Sequence, residues 1–216
     1  MSDELAHWRR ELADFELFLN EHPDATYQDW QPTKWQSLEV VADDLLGSCG
    51  AHGHAIESAL ELGCGSATLL TQLALRGVAA HAVDRDPNAL MLAQRAAISV
   101  GLAPAAIRYT NDDFLAPRTP VDDSYDLVMS IGVIEHFTVE EQLEVLQLHA
   151  THSSRWVMIG IPNMDSPVFG SFLAAMERDG RVYDDDHVTI DVPALAAALG
   201  FRVERADGCH LFLGKQ

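Results

Sequence analysis

Basic residues are scarce in this 216-residue sequence: 14 lysines and arginines stand against 33 aspartates and glutamates, for a formal charge of −19 at pH 7. With all ten histidines protonated the sign stays negative, so a nucleic acid gripped through its phosphates is not expected. Cysteine is scarcer still. Cys49, Cys64 and Cys209 are too few and too scattered for a disulfide framework, and none forms a C-x-x-C pair. No apolar run reaches the ~18 residues of a membrane span. The start, Met1 to Trp8, lacks the basic-then-apolar pattern of a secretory signal. A soluble, cytoplasmic protein is expected, with no membrane and no nucleic acid as partner. Its acidity mildly favours neutral or cationic small substrates.

What is present is apolar material, 48% of the chain, arranged in two patterns that change near residue 50. Before that point the spacing predicts helices. Leu5, Trp8, Leu12, Phe15 and Leu19 share one helical face, and Trp35, Leu38, Val41 and Leu45 share another, ended by Gly47. Thr33 and Gln36 have the spacing of a capping box. Thr26-Tyr27-Gln28-Asp29-Trp30 reads as a polar, aromatic connector. The expected domains are an N-terminal helical lid over residues 1–50 and a second domain over 51–216.

After residue 50, short apolar runs alternate with helical stretches. Strands are predicted at Ala59–Leu62, Val78–Val83, Ile107–Tyr109, Tyr125–Met129 and Trp156–Gly160. Helices are predicted from Ser66 to Gly77, behind Asp86-Pro87, behind the Thr138…Glu141 capping box, from Ser166 to Arg178, and from Asp191 to Gly200. Asp207-Gly208 joins a terminal hairpin, Phe201–Ala206 with His210–Leu213. Alternation of this kind implies an α/β protein with a mostly parallel, doubly wound, Rossmann-like sheet; the hairpin adds one antiparallel strand.

In such sheets ligands bind beyond the carboxyl ends of the strands. Glu61-Leu62-Gly63-Cys64-Gly65-Ser66-Ala67-Thr68 stands at one such end, with glycines that let backbone approach a ligand. Asp84 follows Gly65 by 19 residues, near the spacing at which an acid meets a ribose diol. A dinucleotide fingerprint wants a third glycine where Thr68 stands, and no Gly-Lys-Ser/Thr follows for a P-loop.

From these residues the sequence resembles a class I S-adenosylmethionine-dependent methyltransferase, of the small-molecule or quinone-type branch. Glu61 to Thr68 resembles that family's first motif and Val83-Asp84 its second. Asn111-Asp112-Asp113-Phe114 resembles the third, and Tyr125 to Ser130 the fourth. The resemblance implies the sheet order 3-2-1-4-5-7-6 and a cofactor site of Glu61, Gly63, Cys64, Gly65, Asp84, Arg85, Asp112, Asp113, Phe114 and Ser130. In that site Asp84 would hold the ribose hydroxyls and Asp112 or Asp113 the adenine amino group. Asp113 is favoured because Asp-Phe is the commoner pairing. Arg85 would lie over the adenine.

Ile131 to Phe137 resembles the Glu-His segment that faces the transferred methyl. Methyl transfer is an in-line displacement, so positioning supplies most of the catalysis, and a base helps with a hydroxyl or protonated amine. His136 is the expected base, and Glu135 a second catalytic candidate or an orienting carboxylate. Tyr27, Trp30, Lys34 and Trp35 are expected to form a lid that excludes water and contacts substrate, with Tyr27 or Lys34 meeting the methionine carboxylate. His187 is expected in the acceptor pocket, with Met164, Phe169, Phe172 and Met176 suggesting an apolar wall. Asp184-Asp185-Asp186 reads as a solvated charge run, and no metal is expected.

The expected activity is methyl transfer from S-adenosylmethionine to an oxygen or nitrogen of a small metabolite. A protein or RNA methyltransferase, and a non-methylating S-adenosylmethionine-binding protein on the same fold, are the alternatives. Monomer and homodimer are both compatible with the sequence.

Overall fold

A computed structural model describes residues 4–51, 53–117, 124–161, 196–197, 200–207 and 210–215. The predicted helices at 166–178 and 191–200, the acids at 184–186, His187 and the turn residue Gly208 lie wholly or in part outside the described residues. The strands are β1 (Ser58–Leu62), β2 (Ala79–Asp84), β3 (Ile107–Asn111), β4 (Tyr125–Ile131), β5 (Ser153–Gly160), β6 (Phe201–Asp207) and β7 (His210–Lys215). They form one sheet in the order β3-β2-β1-β4-β5-β7-β6, as the resemblance implied. β1 pairs with β2 and β2 with β3 in parallel, whereas β7 runs antiparallel to both β5 and β6. The chain divides into two compact units, Met1–Asp126 and Leu127–Gln216.

In the first unit, α4 (Thr68–Leu75) and α5 (Pro87–Ser99) follow β1 and β2. Asp86 caps α5 by accepting from the Asn88 N–H at 2.8 Å, with Pro87 in the first turn. Helix α4 starts two residues later than expected because Ala67 sits in the left-handed region at φ 48°. The N-terminal helices α1 (Glu4–Glu21), α2 (Tyr27–Trp30) and α3 (Pro32–Ala51) belong to this unit. Leu12 and Phe15 of α1 bury against Tyr27, Trp35, Leu92 and Ala96. Burial of this kind contributes ~1.5–3 kcal/mol per large side chain.

Two sequence expectations change here. The connector Thr26–Trp30 contains a short helix, because the Asp29 carboxylate accepts from the Thr26 N–H at 2.8 Å and closes a capping box. Helix α3 is not ended by Gly47 but continues to Ala51. Buried Leu45 and Cys49 keep that stretch against the core, and Gly53, at φ 77°, makes the actual stop. Thr33 lies inside α3, its carbonyl accepting from the Ser37 hydroxyl, rather than capping it.

In the second unit, Thr138 and Glu141 form the expected capping box of α6 (Val139–His152). His149 on this helix is fully buried. Its Nδ1–H donates to the Val145 carbonyl at 2.7 Å, so its Nε2 accepts from the Ser130 hydroxyl at 3.0 Å. Burial pushes its pKa down to about 4. Between that value and ~6.5 the unfolded chain binds a proton that the folded one refuses, so stability falls as pH falls. A loss of roughly 3 kcal/mol between pH 7 and pH 4 is expected from this group. Urea midpoints across that range should move less in His149→Gln; equal slopes in both proteins would contradict it.

Candidate functional site

The carboxyl ends of β1 and β2 are tied together by backbone and one carboxylate. The N–H groups of Gly63 and Cys64 both donate to the Val83 carbonyl, at 2.9 and 3.1 Å. Asp84 uses both oxygens: Oδ2 accepts from the Gly65 N–H at 2.9 Å and Oδ1 from the Asp86 N–H at 2.8 Å. Burial raises its pKa, and those two backbone donors oppose the rise. Gly63 and Gly65 both have left-handed φ, 67° and 51°, the conformation that the G-x-G spacing demanded.

Glu61 stands beneath this loop, 3% exposed. The Leu70 N–H, in the first turn of α4, hydrogen-bonds its carboxylate, standing in for the cap that Ala67 has no side chain to provide. Its Oε2 has no hydrogen-bond partner among the described residues. Burial pushes the Glu61 pKa up to about 8, with the Lys34 charge lowering it and the Asp84 charge raising it further. An orphaned buried oxygen beside a glycine turn is a place for a hydrogen-bond donor, above all a charged one. Cys64 is buried, and burial holds its thiol well above the ordinary range, so it is an inert wall residue.

Three helices of the N-terminal segment touch Gly65, Ser66 and Thr68 of this turn. Lys34 Nζ donates to Ser66 Oγ at 2.8 Å, and the Thr68 hydroxyl donates to the Tyr27 phenol oxygen at 3.2 Å. A Cβ placed on Gly65 would meet the Trp8 indole at 2.5 Å. Trp8, Ser66 and Thr68 were not among the expected site residues. Nothing in the sequence signals the Trp8 contact, since the residue reads as one more position on an apolar helical face. Tyr27, Trp30 and Trp35 pack together in the first unit: Tyr27 stacks edge-on against Phe15 and Trp30, Tyr27 and Trp35 are 2% and 4% exposed, and Trp30 is half-buried.

At the end of β3 the two candidate acids differ. Asp112 is buried, and its N–H donates to the Asp84 carbonyl at 3.1 Å. Asp113 is exposed, its Oδ1 turned back onto the Leu115 N–H at 3.0 Å. Phe114 is half-buried and Arg85 exposed. Asn111, which stands in the segment resembling the third motif but was assigned no role there, donates its amide to the Asp84 and Arg85 carbonyls at 3.1 and 3.0 Å and so pins the loop after β2.

In the second unit, Ser130 is buried near the end of β4 with its hydroxyl on His149. Beyond it Gly132 turns at φ 67°, and Ile134–His136 forms one turn of 3-10 helix. Glu135 is buried, 2% exposed, while His136 is exposed. Among the described residues no group of His, Cys, Asp and Glu side chains is placed to hold a metal ion. No helix among them is long and apolar enough to cross a membrane.

Against known proteins, residues 59–152 match the methyltransferase domain family. No curated protein matches the chain closely enough to count as a relative. Among solved structures, the chain is similar to the N-methyltransferase NodS from Bradyrhizobium japonicum in complex with S-adenosylhomocysteine. The identity is 15% over 97% of both chains, with a TM-score of 0.63. It is similar also to magnesium protoporphyrin IX methyltransferase from Synechocystis PCC 6803 with bound S-adenosylhomocysteine. There the identity is 17% over 82% of this chain and 83% of that one, at a TM-score of 0.60.

Proposed function

We propose, for a chain whose residues 59–152 match the methyltransferase domain family, that it is a class I S-adenosylmethionine-dependent methyltransferase that transfers a methyl group to an oxygen or nitrogen of a small metabolite. The observation that carries the reading is the join of β1 and β2. A left-handed glycine turn is locked to Asp84, and Glu61 beneath it keeps one buried oxygen without a partner among the described residues. Those residues fit an amino-acid-bearing adenosyl ligand. Asp84 retains lone pairs for a ribose diol, Glu61 offers an acceptor to an ammonium, and Gly63, Cys64 and Gly65 supply backbone that approaches closely. Lys34 is placed to balance a carboxylate. For the adenine amino group the burial of Asp112 favours it over exposed Asp113, with Phe114 and Arg85 beside the ring. When bound, the cofactor supplies an electrophilic methyl on a positively charged sulfur.

The residues after β4 are proposed to serve the acceptor, with Glu135 and His136 as the proton-handling groups. The buried carboxylate is better suited to that work than the exposed imidazole, because burial pushes Glu135 up to about 7, close to neutral pH. The charge of −19 supports a small acceptor over a nucleic acid, and three scattered cysteines support a cytoplasmic setting. The test is calorimetry with S-adenosylhomocysteine, followed by transfer of a labelled methyl group into metabolite extracts. Binding in the range of ~1–100 μM with label recovered in a small molecule is expected. Heat traces without binding would remove the assignment.

A further inference from the structure

Within the first unit, a cavity of ~540 Å³ opens between α2, α3, α4 and the C-terminal end of α5. That volume suits a small organic molecule. The cavity shares no lining residue with the glycine turn, Glu61, Asp84 or Asp112, so it is separate from the proposed cofactor site. Trp35, Leu75 and Val100 give it an apolar wall, and Glu39, Gln72 and Arg76 bring polar groups to it.

Two donors on α4 are left over in this lining. Arg76 spends Nε on Asp43 at 2.7 Å, and Nη1 on the Gln72 backbone and side-chain oxygens at 3.0 and 2.7 Å. Its Nη2 reaches only Glu39 Oε1 among the described residues, at 3.9 Å, too far for a hydrogen bond. A guanidinium can only donate, so it holds the Gln72 amide with its oxygen toward Arg76 and its nitrogen turned away. That nitrogen is buried and has no hydrogen-bond partner among the described residues, in a side chain 1% exposed. A buried donor in that state is unfavourable until an acceptor meets it.

We infer that this cavity binds a small aromatic carboxamide, its carbonyl oxygen taking the Gln72 and Arg76 donors and its ring lying against Trp35, Leu75 and Val100. The inference stands apart from the methyltransferase reading and concerns a second ligand of the protein. A carbonyl oxygen has two lone pairs, and residues 72 and 76 stand one helical turn apart on the same face of α4. A carboxylate fits less well. The Arg76 charge is already met by Asp43 and Glu39, and the chain as a whole carries −19, so an anion enters against the field. An ammonium brings only donors and leaves both α4 groups unanswered. The Glu39 carboxylate gives the amide N–H an acceptor, which an ester or ketone would not use. A flat ring matches an indole wall, where offset and edge-on contacts are favourable.

The test is ligand-observed NMR on the intact protein with benzamide, benzoate and benzylamine as probes. Benzamide is expected to bind with a Kd of about 0.1–5 mM, as suits a molecule of its size. The two charged analogues should bind about tenfold more weakly or worse. Binding should persist in saturating S-adenosylhomocysteine, since the two sites share no residue. Gln72→Leu keeps the bulk of the side chain without the donor and should weaken benzamide by about three- to tenfold. Leu75→Trp, at an exposed position on the wall, fills the cavity and should abolish binding. Thermal melts establish that each variant is folded, and either folded variant decides the matter. Wild-type protein that binds no benzamide, or binds benzoate as well, would overturn the inference. So would displacement by S-adenosylhomocysteine or undiminished affinity in a folded variant, because the amide would then sit elsewhere.

Discussion

Asp84→Ala is expected to weaken S-adenosylhomocysteine binding by about 100-fold or more. Two ribose hydroxyls on one carboxylate are worth about 1.5–3 kcal/mol each, and every ~1.4 kcal/mol is tenfold in affinity. The substitution also removes the acceptor for the Gly65 and Asp86 N–H groups, so the turn loses its anchor on the neighbouring strand. A lowered thermal midpoint is therefore expected beside the binding defect. Asp84→Asn separates the two effects. It keeps one oxygen acceptor and removes a charge whose burial is itself unfavourable, as the raised pKa indicates, so it should recover stability more than affinity. Calorimetry and thermal melts on both variants give the comparison. Wild-type affinity in Asp84→Ala would show that the carboxylate serves only the turn.

The second large effect is expected at Gly65. An alanine there must adopt φ near 51°, which costs about 1–2 kcal/mol for a residue with a Cβ, and its methyl would collide with the Trp8 ring at 2.5 Å. Displacing that indole forfeits part of its burial, on the order of 1.5–3 kcal/mol. Gly65→Ala should thus destabilise the protein by roughly 2–4 kcal/mol, enough to lower its urea midpoint sharply. The cause is separable by a double-mutant cycle. Trp8→Ala alone costs burial, but in the Gly65→Ala background it removes the collision, so the pair should be less destabilised than the sum by about 1–2 kcal/mol. Strict additivity would mean that the ring does not rest on the glycine.

The parts of the molecule that were legible in the sequence are those in which local chemistry and tertiary demand agree. Asp86-Pro87 opens α5 and Thr138…Glu141 opens α6 because a cap is satisfied by residues two or three positions away. Alternating apolar runs gave the strands and, with the resemblance, their order. The glycine turn and the spaced acid were readable because φ that other residues rarely adopt and a carboxylate at a strand end are written in residue type. The failures have the opposite character. Gly47 reads as a helix stop, yet burial of Cys49 two residues on outweighs a glycine's ~1 kcal/mol penalty. Thr26 and Asp29 have the capping spacing but too few residues behind them to register as a helix. Whether Tyr27 and Trp35 pack or face a ligand depends on partners 12 to 69 positions away, such as Phe15 and Ala96, and no local pattern encodes that. The contrast between exposed His136 and buried Glu135 is of the same kind: adjacent residues, one turn, and a choice made by the surrounding chain.

The three grips that α1, α2 and α3 hold on residues 65–68 bear on how fast a ligand can arrive. With an indole on Gly65, an ammonium on Ser66 and a phenol on Thr68, ligand entry at this turn is expected to wait for those holds to loosen. Stopped-flow association should then level off at a ceiling rate as ligand concentration rises, rather than climbing in proportion. Trimming the indole in Trp8→Ala should lift that ceiling, so that the same helices that shelter the turn also set the tempo of each turnover.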